Sequence, residues 1–391
     1  MRIAMIGPVG LHPNKTMSSR ALGLARALVQ RNHEIAIFMP PWQTPEEADR
    51  WWDEDGVKMR YTSLGAHPFS TSRNLLEDVL AWQPDVVHGF KPKAYSGIVM
   101  WWLWHFHRQK FRLVADMDDW EGPGGGNDLA PYTAVQKRFF TWQEQWGMSH
   151  AHALTVAIRA LESIVWSNGI PVDRVFYLPN GSGLDLAGSS LSGSQIEESR
   201  SKLGVGSRPT LLVYSRFFEF DAQRLAEVLA GVKEKIPDLA VLFIGESLYD
   251  RDDQRLRENL EKNGVLPAVV DLGWVDESKL PLLLRSSDVA IYLMDDTLIS
   301  RSKCPVKLAD IIAAGVPVVA EDVGQVPQYV INGATGLLRA SGDIAGLTGD
   351  IAYLLQSRKQ RMEFGQAAQR RYTANFSWDH LAARLDEVYR C

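Results

Sequence analysis

The chain of 391 residues has a formal net charge of −5, with 46% hydrophobic and 23% charged residues, which is ordinary for a globular protein of two or three domains. This charge gives no global basic field, so the composition argues against a nucleic-acid-binding protein. Only Cys304 and Cys391 are cysteines, which excludes a disulfide framework or a cysteine-rich metal site. The low cysteine content fits a reducing cytosol.

The N-terminal stretch MRIAMIGPVG predicts a first β-strand. Its apolar run is shorter than the core of a signal peptide, and no small-residue cleavage site follows it. The chain also has no run of about 18 apolar residues that could span a membrane. We therefore expect a cytoplasmic protein.

Short apolar runs alternate with helical patterns along the chain. The runs are RIAMIGP, EIAIFMP, DVVHGF, RLVADMD and ALTVA in the first half, then TLLVYSR, LAVLFIGE, VVDLGWV, VAIYLM, VPVVAED and TGLL in the second. Apolar strands separated by helices are typical of a parallel sheet that is covered on both faces. The sequence therefore predicts the α/β class, with two Rossmann-like doubly wound domains.

A stretch rich in Ser and Gly separates the two series of runs and predicts a linker over 184–205, whose polar middle could form a short helix. We predict an N-terminal domain over 1–183, a C-terminal domain over 206–372 and an amphipathic C-terminal helix over 373–391 that packs on the N-terminal domain. Two such domains side by side face each other across a cleft, and ligands of this fold class bind at the carboxyl ends of the strands.

Two loops of the N-terminal domain carry candidate acceptor-site residues. Gly7 and Gly10 follow the first strand, where they allow either close approach of a substrate or an ordinary turn. His88, Lys91 and Lys93 follow a later strand. The two lysines favour an anionic or phosphate-bearing substrate, whereas a structural and a functional role are equally consistent with His88.

The stretch VADMDDWEGPGGGND places Asp116, Asp118 and Asp119 at a strand end, before a Gly-rich loop. Such carboxylates can bind a divalent metal, act as a base on an acceptor hydroxyl or cap a turn. The loop over 122–126 lacks the Gly-Lys-Ser/Thr of a phosphate-binding P-loop. It is therefore either a mobile lid over the acceptor or a disordered loop.

Residues 95–112, YSGIVMWWLWHFHRQKFR, form a pattern that is apolar nearly all round a helix and then becomes basic. Tryptophans followed by basic residues suit docking at an anionic membrane surface. Packing against the sheet or a partner protein explains the same tryptophans.

In the second half, CPVKLADIIAAGVPVVAED predicts a helix followed by a buried strand. Pro305 suits the first helical position, and the free N–H groups near Val306, together with the charge of Lys307, suit a phosphate. Asp310, one turn later, can accept hydrogen bonds from a ribose. Alternatively, Asp310 complements the helix dipole and Lys307 is a solvated surface charge.

The stretch CPVKLADIIAAGVPVVAEDVGQVPQYVINGATGLL resembles the donor-binding signature of the retaining glycosyltransferases of family four, which have the GT-B fold. YSRF, FIGE and DLGWVDESKLPLLLRSSDVAIYL resemble the family's other C-terminal motifs, and ALTVAIRALESIVWSNGIPVDRVFYLPNGSG resembles the end of its first domain. FSWDHLAARLDEVY is similar to the family's last helix, which crosses back to the first domain. The resemblance covers most of the chain.

The resemblance implies transfer of a sugar from a nucleotide diphosphate sugar to a hydroxyl acceptor, with retention and without a metal or other cofactor. It places the donor on the second domain and the acceptor on the first. On the matching positions, Arg216 would contact the diphosphate, the backbone near Val275 the base, and Asp310 the ribose.

Several positions depart from the family pattern. Ser302 and Asp310 stand where the family has two glutamates, so the carboxylate that orients the donor sugar is missing. The lysine expected after Arg216 is also missing, and we expect Lys307 to supply part of its charge. Where the family has a histidine near the transferred sugar, this chain has Asp118, which we take as a catalytic candidate together with His88 above.

These departures leave two alternatives open. One is a non-catalytic GT-B relative that binds nucleotide or glycan as a scaffold, and the other is a nucleotide-sugar 2-epimerase. Related enzymes often act on glycans or lipid-linked acceptors of the cell envelope, so the resemblance is compatible with peripheral attachment at the inner face of the membrane through 95–112.

Overall fold

The computed structural model describes residues 1–12, 16–184, 191–247 and 250–390. The chain divides into two compact units. The first unit contains Met1–Gly183, Ser302–Cys304 and Ser377–Cys391, and the second contains Leu184–Arg301 and Pro305–Phe376.

The strands of the two units form separate sheets. The first sheet consists of β1 (Arg2–Ile6), β2 (Glu34–Met39), β3 (Arg50–Glu54), β4 (Val57–Tyr61), β5 (Val86–Phe90), β6 (Arg112–Met117), β7 (Ala153–Val156) and β8 (Val175–Tyr177). The second consists of β9 (Thr210–Tyr214), β10 (Ala240–Ile244), β11 (Val269–Asp271), β12 (Val289–Tyr292), β13 (Val318–Glu321) and β14 (Gly336–Arg339).

Helices connect the strands in both units. They are α1 (Leu22–Val29), α2 (Pro68–Ala81), α3 (Ala94–His107), α4 (Gly126–Leu129), α5 (Ala134–Ser149), α6 (Arg159–Ser167), α7 (Gly193–Lys202), α8 (Ala222–Lys235), α9 (Asp250–Lys262), α10 (Leu280–Arg285), α11 (Leu298–Arg301), α12 (Val306–Ala313), α13 (Val326–Tyr329), α14 (Ile344–Gln356), α15 (Arg358–Asn375) and α16 (Trp378–Arg390). A π-helical turn, Thr16–Ala21, leads into α1.

The first sheet has the order β3-β4-β2-β1-β5-β6-β7-β8 and is parallel except for the β3–β4 pair. Its central strands are almost wholly apolar, as burial on both faces requires. Met5 on β1 lies opposite Ile37 on β2 and His88 on β5. The strand order reverses between β1 and β5, and the carboxyl ends of the strands at such a reversal are the usual place for a ligand.

The C-terminal helix α16 packs on α1 in the first unit. Leu381 and Leu385 are fully buried there, and the Trp378 indole donates a hydrogen bond to the Ser182 carbonyl at 2.6 Å. Gly23 leaves room for that indole, because a Cβ at this position would lie 2.5 Å from the Trp378 ring. The predicted return of the last helix to the first domain is confirmed.

The second sheet is parallel, with the order β11-β10-β9-β12-β13-β14. Leu211, Val241 and Val319 are fully buried in its core, against apolar residues of α8 and α14. The strand order reverses between β9 and β12. The predicted α/β class, with two doubly wound sheets, is therefore confirmed.

The segment predicted as a linker is partly helical. Residues 185–190 lie outside the described residues, but α7 follows them, with Ser192 accepting a hydrogen bond from the Gln195 N–H as its N-cap. This helix belongs to the second unit and packs on α10. Within the described ranges, no helix is both long and apolar enough to cross a membrane.

Candidate functional site

A buried ion pair anchors the end of β6 in the first unit. The Arg20 guanidinium donates to both Asp116 carboxylate oxygens, at 2.8 and 2.6 Å, and to the Asn180 side-chain oxygen at 2.8 Å. Arg20 is 1% exposed and Asp116 is fully buried. Burial by itself raises the pKa of Asp116, but the adjacent Arg20 charge outweighs burial and lowers the pKa below its usual value. Asp116 is therefore a fixed carboxylate with a bidentate partner.

His88 belongs to the same buried network. Its Nδ1 lies 2.8 Å from the Tyr389 hydroxyl and its Nε2 lies 3.3 Å from the Thr155 hydroxyl, which in turn donates to Asp116 at 2.6 Å. Burial lowers the pKa of His88 to about 4, so the imidazole is neutral near pH 7. A neutral, fully buried ring matches the structural alternative for His88.

Asp118, directly after β6, has a different environment. One carboxylate oxygen accepts a hydrogen bond from the Thr16 hydroxyl at 3.1 Å, and the other lies 3.1 Å from the Lys91 Nζ. Burial raises the pKa of Asp118 to about 6, although Lys91 opposes that shift. A carboxyl group that titrates close to neutral pH is suited to general acid–base chemistry.

The two lysines after β5 are paired with carboxylates of the same unit. Lys91 Nζ lies 3.1 Å from oxygens of Asp118, Asp119 and Glu121, and Lys93 Nζ lies 2.9 Å from Glu121. Burial opposes ionisation of Glu121, but the two lysines lower the pKa of Glu121 to about 2. An anionic substrate, as predicted for these lysines, would have to compete with these carboxylates.

Glu144 on α5 contacts this cluster through the backbone of Glu121. One of its oxygens accepts a hydrogen bond from the Glu121 backbone N–H at 3.0 Å, and the other is buried without a hydrogen-bond partner in the described part of the chain. Burial raises the pKa of Glu144 to about 8. Glu144 is therefore largely protonated at neutral pH.

The glycines of the loop over 122–126 are required by packing around Trp120. A Cβ at Gly122 would lie 2.2 Å from the Trp120 ring, and one at Gly125 would lie 2.3 Å from the Trp120 carbonyl oxygen. The Trp120 indole donates to the Pro123 carbonyl at 3.0 Å. The loop thus closes on its own tryptophan and continues into α4.

Gly7 and Gly10 also accommodate side chains of their own unit. A Cβ at Gly7 would lie 2.4 Å from the Met17 sulfur, and one at Gly10 would lie 3.2 Å from the Tyr61 hydroxyl. Tyr61 is held there because its hydroxyl accepts a hydrogen bond from the Leu11 N–H at 3.1 Å. The close approach that these glycines permit is made in this structure by Met17 and Tyr61.

Ser302 lies in the first unit, which the sequence did not predict. The Ser302 carbonyl accepts a hydrogen bond from the Trp120 N–H at 3.4 Å, and the Cys304 sulfur accepts one from the Asn180 N–H at 3.3 Å. Ser302 is 1% exposed. The position that carries a carboxylate in the resembled family is therefore packed beside the loop that follows Asp118.

In the second unit, Arg216 lies two residues after the end of β9 and is exposed. It makes no ion pair or side-chain hydrogen bond with the described residues. The turn that presents it is constrained, since Phe217 has a φ of 59° and the Ser215 hydroxyl accepts from the Phe217 N–H at 3.0 Å and donates to Glu219 at 2.9 Å. An arginine at the sheet reversal whose charge has no partner among the described residues is suited to bind an anion.

Beside Arg216, the end of β9 contacts the start of α12. Tyr214 donates a side-chain hydrogen bond to Asp310, and burial and the Asp310 charge both raise the pKa of Tyr214. Lys307 Nζ lies 3.7 Å from the centre of the Tyr214 ring. Asp310 is only 4% exposed, and Lys307, which the alternative interpretation takes as a solvated surface charge, is half-buried.

The remaining predicted donor residues lie close to the same edge of the second sheet. Pro305 is buried and precedes the first residue of α12, Val306, so it caps the helix rather than beginning it. Val275 is half-buried and follows Gly273, whose carbonyl accepts a hydrogen bond from the Gly245 N–H at 2.7 Å. The parts of the chain that the structure describes contain no group of three His, Cys, Asp or Glu side chains that could hold a metal ion.

Comparison with known proteins places these sites in a family. The model of the glycosyl transferase 4-like domain matches residues 16–181, and the model of glycosyl transferases group 1 matches residues 195–371. This chain belongs to the group 1 glycosyltransferases. The two matches cover both units of the structure, and together they include Asp118, Arg216 and Asp310.

Curated relatives of this group 1 glycosyltransferase are similar over part of their length. A phosphatidyl-myo-inositol mannosyltransferase from Mycobacterium leprae is 29% identical over 217 residues, which are 54% of this chain and 52% of the relative. A GDP-mannose-dependent alpha-(1-6)-phosphatidylinositol monomannoside mannosyltransferase from Mycobacterium tuberculosis is 27% identical over 225 residues, 56% of this chain and 57% of the relative. The matched stretch thus spans about half the length of these relatives.

Among solved structures, that of HepE from Anabaena in complex with UDP is similar over 99% of both chains, with a TM-score of 0.73 and 15% sequence identity. At this identity the likeness concerns the fold, and it extends over both units of the group 1 glycosyltransferase.

Several residues of the site were missed by sequence reasoning, among them Glu144, Tyr214 and Arg20. Glu144 carries no recognisable signal. Tyr214 ends an apolar run and reads as an ordinary strand residue. Arg20 has a signal, because it shares helical spacing with buried Met17 and Leu24, and a charge on the apolar face of a helix points to a buried partner.

Proposed function

We propose that this chain transfers a sugar from a nucleotide diphosphate sugar to a hydroxyl acceptor, with retention at the anomeric carbon and without a metal ion. The observation that carries the proposal is the arrangement at the reversal of the second sheet. There, Arg216 is exposed and has no ionic partner among the described residues, and Tyr214 joins the end of β9 to Asp310 on α12.

The donor binds at this edge of the second unit. Arg216 and the N-terminal N–H groups of α12 stabilise the negative charge that develops on the diphosphate as its bond to the sugar breaks. Asp310, oriented by the Tyr214 hydroxyl, accepts hydrogen bonds from ribose hydroxyls. Lys307, whose charge lies over the Tyr214 ring, adds positive potential without a metal ion. Retention is supported by the resemblance of the signature around Asp310 to that of retaining enzymes.

The acceptor binds to the first unit, with its reacting hydroxyl at Asp118. The carboxylate accepts the hydroxyl proton as the acceptor oxygen forms its bond to the anomeric carbon. Lys91, 3.1 Å from Asp118, keeps part of the Asp118 population ionised despite burial. One relative is named for GDP-mannose and HepE was solved with UDP, so the experiment below compares donors of both bases.

Peripheral attachment to the membrane is part of this proposal. Trp102 and Phe106 on α3 are 44% and 60% exposed, and Arg108 and Lys110, which follow, are exposed as well. Exposed aromatic side chains beside basic ones suit the interface of an anionic bilayer. The M. leprae relative is named for a phosphatidylinositol acceptor, which agrees with an acceptor presented at a membrane.

The test is a screen of UDP-, GDP-, ADP- and dTDP-sugars for thermal stabilisation and for release of the nucleoside diphosphate. We expect one nucleotide class to stabilise the protein and to be released, and Arg216→Ala to reduce both effects at least tenfold. Arg255→Ala is the matched control, since Arg255 is an exposed arginine on α9 of the same unit and its removal should change neither.

Other outcomes distinguish the alternatives. Tight nucleotide binding without any product would favour the non-catalytic scaffold, and release of a changed sugar nucleotide without an acceptor would identify an epimerase. Binding of none of these nucleotides would refute the proposal.

A further inference from the structure

A cavity of about 590 Å³ opens in the first unit. Its wall is formed by the segments that follow β1, β2, β5 and β6, and by the first turns of α2 and α5. It therefore lies at the carboxyl ends of the strands where the order of the first sheet reverses, and its volume is that of a small-molecule site. We call it the aromatic pocket, because Trp42, Phe69, Tyr95, Tyr132 and Phe139 lie on its wall. Val135 lies beside them.

Five polar side chains of the aromatic pocket already have partners within the protein. They are Thr16, Lys91, Lys93, Glu121 and Gln136, and the pocket also contains Trp42 and two tyrosines. Both lysines pair with Glu121, and Gln136 caps its own helix α5. A sugar ring bound along this wall would find few free partners for its hydroxyl groups, and burying those hydroxyls unpaired is costly.

The apolar side chains of the aromatic pocket are unusually exposed. Trp42 is 44% exposed, Phe69 66% and Val135 78%. Large apolar groups gathered around a concave site, with so much surface open to water, gain free energy when an apolar ligand covers them. The wall thus favours a ligand with a hydrocarbon body.

Two polar residues of the aromatic pocket contact Asp118. Thr16 and Lys91 both line the pocket, and both contact the Asp118 carboxylate at 3.1 Å. Lys93 also lines the pocket, with its Nζ 4.7 Å from the centre of the Tyr132 ring. A ligand that lies against the aromatic residues can therefore place a hydroxyl group at Thr16 and Lys91, beside the carboxylate that titrates near pH 6.

We propose that the aromatic pocket binds the hydrocarbon chain of an amphiphilic acceptor, with its hydroxyl-bearing head at Thr16 and Asp118. This rests on the proposed transferase function and names the class of its acceptor, a lipid-type alcohol or glycolipid. It assigns the apolar wall a role in substrate binding that is separate from the exposed aromatic face of α3.

The test uses methyl to nonyl β-D-glucosides as probes, each below its critical micelle concentration, with binding measured by isothermal titration calorimetry. Each added methylene that becomes buried should raise the affinity about two- to fourfold. Val135→Asp should weaken octyl glucoside binding at least tenfold. Val172→Asp is the matched control, because Val172 is 67% exposed in the same unit but does not line the pocket, and it should bind like the wild type.

A second matched pair of variants distinguishes the aromatic pocket from the exposed aromatic face of α3. Phe69→Ser should weaken octyl glucoside binding, whereas Phe106→Ser, at a phenylalanine of similar exposure on α3, should not. Equal affinity for methyl and octyl glucoside would overturn the proposal, and so would equal effects of Val135→Asp and Val172→Asp. Binding of maltotriose in competition with octyl glucoside, at comparable affinity, would show a glycan wall and also overturn it.

The transferase function is tested separately on the same protein samples. Nucleotide binding depends on Arg216 in the other unit and is measured by thermal shift without any glucoside. If chain-length-dependent binding is present while no sugar nucleotide binds, the pocket assignment stands and the transferase proposal fails. If sugar nucleotides are turned over while the glucosides bind without chain-length dependence, the pocket assignment fails alone.

Discussion

At the scale of single residues, the environment of Asp118 sets the expected pH dependence of the reaction. Its carboxylate is the form that accepts a proton, and the pKa of about 6 means that this form is lost as the pH falls through that value. We expect kcat/KM to rise with pH up to about 6 and then level off. Asp118→Asn should lower kcat/KM about 100-fold or more and abolish this limb of the profile.

Replacing the neighbouring Asp119 tests the pKa of Asp118 without removing the Asp118 carboxyl group. Its negative charge raises the pKa of Asp118, so Asp119→Asn should move the limb to lower pH while keeping most of the activity at pH 8. A pH–rate profile measured for both variants separates the roles, and an unchanged limb in Asp118→Asn would rule out Asp118 as its source.

Glu144 gives a prediction for stability rather than activity. Its pKa is raised from an ordinary value of 4.5 to about 8, so the folded state holds a proton that the unfolded state has lost. Stability contributed by the protonated form is therefore fully present below pH 4.5 and declines as the pH rises through about 8. Glu144→Gln, which keeps an oxygen for the Glu121 N–H, should remove this decline and raise Tm by about 3–6 °C at pH 8.5. Thermal melts of the wild type and of Glu144→Gln from pH 5 to 9 measure this difference in Tm. A difference that stays constant over that pH range would contradict the prediction.

At the scale of elements, the buried pair between Arg20 and Asp116 joins the turn before α1 to the end of β6. Removing one partner leaves a buried charge uncompensated, so Arg20→Met should cost about 3–5 kcal/mol of the free energy of unfolding. Arg26→Ala on α1 is the control, because Arg26 forms exposed pairs with Glu54 and Asp55 that contribute about 1 kcal/mol or less. Urea unfolding of the two variants makes the comparison, and similar losses would show that burial of the Arg20 pair is unimportant.

The elements themselves were largely predictable. The strands that hold Asp116, Tyr214 and Glu321 are short buried apolar runs, and such runs are visible in the sequence because burial on both faces excludes polar residues. The antiparallel pair β3–β4 was not predicted, although Asp55 and Gly56 form its turn with φ values of 56° and 82°. Its strand over Arg50–Glu54 is partly exposed and mixes tryptophans with charges, so it has no clear apolar run.

At the scale of the whole molecule, the exposed aromatic residues of α3 predict binding to membranes. The protein should cosediment with vesicles that contain an anionic lipid at low salt, and a Trp102→Ser/Phe106→Ser double variant should lose binding at least fivefold. Trp166→Ser is the control, since Trp166 is 39% exposed on α6 of the same unit. Lack of cosedimentation of the wild type would remove the membrane proposal and leave the transferase proposal untouched.

The sequence by itself determined the α/β class, the two series of strands and the family, because these depend on local periodicity and on motifs of adjacent residues. Asp118, Arg216 and Asp310 could be selected from the sequence for the same reason: each lies at the end of a strand or the start of a helix. Their placement at a sheet edge follows from the parallel topology.

Only the tertiary structure decided which charges are compensated and which are available. Arg20 is 96 residues from Asp116 and His88 is 301 residues from Tyr389, and contacts between such distant positions leave no periodic pattern in one sequence. The structure likewise placed Ser302 in the first unit. The aromatic pocket could not be predicted from the sequence for the same physical reason, because its wall combines side chains from six segments that are distant in the chain. Each of these segments has the sequence pattern of an ordinary loop or helix start.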